Sequence, residues 1–185
     1  PAASITGGTN GIFLGAGGTV DNEANITGAD NGIMIETGGT VTNNGTITAS
    51  TDAGIVVVTG SGTIYNGTLN TGALITGAIG VRLNDGGSID NYGTINASDR
   101  GIVAMGTVAI NNGAAGSTTA SITGGSAGVF ANWTAGSTLT NYGTIQGSSG
   151  NGADIYNGGI VSNYGKIYGS NFDLSSEPTG IGIKV

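Results

Sequence analysis

Gly87-Ser88-Ile89-Asp90-Asn91-Tyr92-Gly93-Thr94-Ile95 decides how this chain folds. Two short alternating runs, each with an inward candidate at isoleucine, meet at Asn91-Tyr92-Gly93. The same phrase returns as Gly39-Thr40-Val41-Thr42-Asn43-Asn44-Gly45-Thr46-Ile47 and as Thr138-Leu139-Thr140-Asn141-Tyr142-Gly143-Thr144-Ile145. Ahead of each copy lies a glycine and an alternating apolar stretch, beginning at Gly11, Gly32, Gly54, Gly80, Gly101, Gly128 and Gly152, with a stub at Gly180. The spacing runs from 21 residues (Gly11 to Gly32) to 28 (Gly152 to Gly180). A unit that short buries no core alone, so the repeat predicts one coil of a stacked solenoid.

Parity assigns the faces. In the first run of each coil, Ile12 and Leu14, Ile33 and Ile35, Ile55 and Val57, Val81 and Leu83, Ile102 and Ala104, Val129 and Ala131, and Ala153 and Ile155 share one direction. Between them stand Phe13, Met34, Val56, Arg82, Val103, Phe130 and Asp154. A charge does not enter a narrow apolar bore cheaply, so Arg82 and Asp154 turn that column to solvent and the aliphatic pairs inward. In the second run Val20, Val41, Ile64, Ile89, Ile110, Leu139 and Val161 point inward. Two residues on, the same parity buries Asn22, Asn43, Asn66, Asn91, Asn112, Asn141 and Asn163. One buried amide costs a few kcal/mol, whereas a column at about 4.8 Å spacing satisfies itself. The third run carries Ile26, Ile47, Ile95, Ile122, Ile145 and Ile167, with Ile75 in the place of the member missing from the coil that starts at Gly54. No stretch has a helical period. The expected fold is all-β: residues 1–185 as a single parallel β-helix with three short strands per coil and about seven to eight coils. Extra residues at 70–74, 114–120, 133–136 and 172–179 are expected to bulge outside the stack. Both ends fall inside partial repeats, which predicts a segment of a longer repetitive protein.

These phrases resemble the repeats of bacterial autotransporter passenger domains and related large surface adhesins, a group similar to the pectate-lyase-like right-handed β-helix type. The resemblance spans nearly the whole chain. It implies right-handed coiling, secretion across the outer membrane, and display at the bacterial cell surface as an adhesin or a stalk. The implied partners are a host surface protein or glycan, or another copy of the chain.

Composition narrows the chemistry. The chain has 39 glycines, no histidine and no cysteine among 185 residues, which excludes a Ser-His-Asp triad and a cysteine- or histidine-ligated zinc site. No cofactor and no metal are expected. A net charge of −7 opposes binding to nucleic acid or to an anionic membrane surface, and no apolar run has the about 20 residues of a spanning helix. The expected function is structural or adhesive, without catalysis. The alternative is a polysaccharide-active β-helix enzyme using clustered carboxylates. Asp30 and Asp52, at equivalent turns of adjacent coils, are its candidates, and no basic residue stands beside either in the register. The same pair is a candidate weak cation site or a turn cap. Phe13, Met34, Val56, Val103 and Phe130 form an outward apolar stripe, and Trp133 lies in a corner insertion. Together they are the expected partner-contact face. Tyr92, Tyr142 and Tyr164 share a column beside the asparagines, where stacking of the last two is expected.

Overall fold

Alternation at period two, broken every few residues by glycine corners, leaves each strand too short to close its own sheet. Its hydrogen bonds must go to the next coil. The computed structural model describes residues 3–68, 72–169 and 183–184, and it has that form. All the ladders between successive coils are parallel. The first coil shows the plan, with strands Ser4–Gly7, Asn10–Leu14 and Thr19–Asn22 on three faces. Later strands such as Asn31–Asn43 and Ala53–Asn66 continue round a corner and serve two faces. The protein is an all-β parallel solenoid of about seven turns.

Register ties the repeats together as the parity argument requires. On the first face Ile12, Ile33, Ile55, Val81, Ile102, Val129 and Ala153 stand in one row. On the second, Val20, Val41, Ile64, Ile89, Ile110, Leu139 and Val161 do the same. On the third, Ile75 lies between Ile47 and Ile95, filling the place assigned to it. The three rows meet in one continuous core that runs along the bore. Full burial of each Ile or Val is worth about 1.5–3 kcal/mol, so the core grows with every added coil.

The corners explain much of the glycine. At the first corner Gly38 and Gly60 adopt positive φ (51° and 69°), a region in which a Cβ is strained. At the asparagine corner the problem is space: a Cβ on Gly143 would lie 2.1 Å from the Ala120 carbonyl oxygen of the preceding coil. Of the extra segments, 114–120 leaves the stack as a small outer loop pinned by an antiparallel bridge between Ala114 and Ser117, except that Ala120 is already back in the stack, buried and accepting from the Thr144 amide. The expected bulge at 172–179 and the stub at Gly180 lie outside the described residues, as do residues 70 and 71 of the bulge at 70–74.

Candidate functional site

The asparagine column is a ladder. Asn22 Nδ2 donates to Asn43 Oδ1 (2.7 Å), Asn43 to Asn66 (2.8 Å), Asn66 to Asn91 (2.7 Å), and Asn91 to Asn112 (2.7 Å). Asn112 and Asn141 extend it, donating to Asn141 and Asn163 at 2.8 Å each. The amides also hold the corner backbone: Asn91 Nδ2 donates to the carbonyls of Gly93 and Ser121 (3.2 and 3.1 Å). Asn22 to Asn141 are buried, whereas Asn163 is exposed. Every bond has the same sense, Nδ2 toward the next coil, so the column is a polar spine rather than a reactive group.

The outward column of the first face is in register as expected, Phe13, Met34, Val56, Arg82, Val103, Phe130 and Asp154 in sequence. Its exposure is not uniform. Phe13 is 55% exposed, but Val56 and Val103 are only 4% and 6% exposed. They form a second, outer apolar cluster with Ala53 and Ile79, flanked by Met34, Val58, Met105 and Phe130. The expectation of one open contact stripe is therefore corrected. Its middle is sealed by neighbouring side chains, and apolar surface remains toward its two ends. Parity reads direction from the bore but not the height of the neighbours on the same face, which is why the sealing was not legible.

Trp133 is a second correction. Its ring is 1% exposed and belongs to the core of the bore rather than to a contact face. It pairs with Gly106 of the coil below, and the corner of the coil above closes over it. A Cβ on Gly159 would sit 2.3 Å from its Cε3. Gly106, its register partner in the preceding coil, is the available signal, since a bulky ring opposite glycine has room to turn in; Gly159, which closes over the ring, lies two residues past the register position. The indole Nε1 is buried without a hydrogen-bond partner.

Asp30 and Asp52 are adjacent, with the Asp52 amide donating to the Asp30 carbonyl (3.0 Å), yet their carboxylates have separate partners. Asp30 Oδ1 accepts from the Thr51 hydroxyl (3.0 Å). Asp52 receives both Nη atoms of Arg82, at 2.7 and 3.3 Å. The expectation that neither has a basic neighbour is corrected. Arg82 reaches across from the next coil because its outward position and long stem lead back to that corner. Among the described residues no group of three or more acidic, histidine or cysteine side chains is placed to hold a metal ion.

Tyrosines supply the remaining surface chemistry. Tyr142 and Tyr164 stack at 4.8 Å between centroids with 14° between planes. On the first face Phe130 and Tyr156 lie 5.6 Å apart, tilted by 52°, and the Arg100 guanidinium sits 4.7 Å from the Phe130 centroid. Tyr156 was not among the expected contact residues, because it belongs to the second outward column of that face, where Met105, Asn132 and Tyr156 are in register. No protein-family model, curated protein or solved structure matches this chain.

Proposed function

We propose that this chain is a non-catalytic, adhesive or load-bearing segment of a bacterial surface protein, of the kind its repeats resemble in autotransporter passengers and large adhesins. The observation that supports it is the spine. From Asn22 to Asn163 each coil is linked to the next by a hydrogen bond between side-chain amides in addition to its parallel ladders. Such a column resists bending and separation of coils, which is what a stalk requires. Export across the outer membrane and display at the cell surface belong to the same proposal. The partner is a host surface protein or glycan, or a second copy meeting the apolar ends of the first face.

Self-association is tested by sedimentation across concentration, comparing wild type with Phe13→Lys and Met34→Lys. Wild type is expected to associate, and each lysine to weaken association several-fold without changing the β-sheet circular dichroism. Concentration-independent monomers remove the second-copy partner. The absence of catalysis is tested with an acidic and neutral polysaccharide depolymerisation screen on wild type and the Asp30→Asn/Asp52→Asn variant. Cleavage by wild type that vanishes in the variant overturns the structural reading.

A further inference from the structure

At the distal end of the first face lies a depression of about 380 Å³ lined by Met105, Phe130, Asn132, Tyr156 and Asn157. Its size falls at the lower end of small-ligand pockets, about 300–1,000 Å³. Phe130 and Tyr156 present tilted ring surfaces there, with Tyr156 40% exposed. The rim is amide. Asn157 Nδ2 donates to Asn132 Oδ1 at 2.6 Å, which leaves the Asn132 NH2 and the Asn157 carbonyl oxygen for other partners. Reversing the sense of that pair still leaves one donor and one acceptor.

Two features hold this arrangement in place. Asn157 is the only non-glycine among the described residues with positive φ (65°), and glycines with φ of 85° and 133° follow it. Asparagine tolerates that region better than other non-glycine residues, so the corner fixes the direction of its side chain at little cost. Beneath that corner the buried Trp133 ring fills the space under Gly159 and fixes its height. Of the charges beside Phe130, Arg100 Nη1 pairs with Asp99 Oδ2 at 3.0 Å, while Asp154 Oδ1 accepts from the neutral Asn151 amide at 2.6 Å and keeps its negative charge.

We infer that this depression is a subsite for a neutral pyranose unit of a glycan. The apolar C–H face of the sugar covers the Phe130 and Tyr156 rings. Two adjacent hydroxyls meet the amide pair, one accepting from Asn132 and its neighbour donating to Asn157. The Asp154 carboxylate, the neutralised Arg100 and a net charge of −7 disfavour uronic or sialic acids. The inference rests on the adhesive reading and gives that surface a ligand class.

The test titrates the purified chain with methyl glycosides of glucose, galactose, mannose and N-acetylglucosamine, and with glucuronate as the anionic arm, followed by saturation-transfer NMR and calorimetry. At least one neutral glycoside is expected to bind. Tyr156→Ala is expected to weaken it roughly ten-fold, one aromatic contact's worth. Asn157→Gly keeps the left-handed corner while removing the amide, so it is expected to fold as wild type and to lose a similar factor. Tyr168→Ala, on the third face, is expected to leave binding unchanged. No neutral sugar bound at millimolar concentration, equal binding by Asn157→Gly, or binding of glucuronate alone each overturns the site. Attachment of wild type to cells is measured separately. Attachment by a wild type that binds no neutral sugar sinks this subsite and leaves the adhesive reading standing, whereas sugar binding without attachment sinks the adhesive reading alone.

Discussion

Asn91 shows what one residue does here. Its amide accepts from Asn66, donates to Asn112, and donates to the Gly93 and Ser121 carbonyls. Truncation to alanine leaves the Asn66 amide with the Thr94 carbonyl alone and takes the ladder donor from the Asn112 side-chain carbonyl, in a site that water does not reach. An unsatisfied buried group costs about 1–3 kcal/mol, so Asn91→Ala is expected to cost about 2–5 kcal/mol in denaturant titration. Asn163→Ala, at an exposed rung, is expected to cost under about 1 kcal/mol because water replaces the lost partner. Equal losses at both positions would mean that the spine contributes by packing and not by hydrogen bonding. The positions of the ladder members were readable from parity alone, since an asparagine two residues after each inward valine or isoleucine has nowhere else to point.

At the scale of the element, the first sheet has two apolar sides. Its inner side lines the bore, and its outer side carries the cluster of Ala53, Val56, Ile79 and Val103. Arg82 interrupts that outer column by sequence but not by packing. Its stem lies between Val56 and Val103 in the register, and its head is carried to Asp52. The pair is partly exposed (side chains 27% and 41%), so its ionic share is small, under about 1 kcal/mol after solvent screening. Val103→Ala is expected to destabilise by about 1–2 kcal/mol, whereas Arg82→Met, which keeps the stem, is expected to change thermal stability by less than about 1 kcal/mol. A larger loss in Arg82→Met than in Val103→Ala would show that the ion pair, not the apolar seam, holds the outer side.

For the whole molecule, stability is a sum over neighbouring coils. Ile33 pairs with Ile55, and Asn43 with Asn66, at a constant offset except for a shift of one residue between Thr37 and Gly39. Removing residues 33–54 joins Gly32 to Ile55 and leaves Asn22 facing Asn66 across the excised coil. Repeat proteins tolerate such excisions because each unit contacts only its neighbours. The shortened chain is expected to keep its β-sheet circular dichroism and to melt several degrees lower in a cooperative transition. An unfolded product would show that the coils depend on contacts longer in range than the adjacent turn.

The coil length, the inward rows, the asparagine spine and even the substitute role of Ile75 follow from the order of residues, because strand alternation and repeat spacing are local rules applied many times. The stacking of Tyr142 on Tyr164 follows in the same way from a shared column. What faces outward obeys no such rule. Whether Val56 is open or sealed, whether Trp133 meets solvent or the bore, and whether Asp52 finds a cation depend on the heights of side chains brought together by neighbouring coils and on room left by glycines more than 20 residues away. Those are properties of packed surfaces, and they exist only once the coils are stacked.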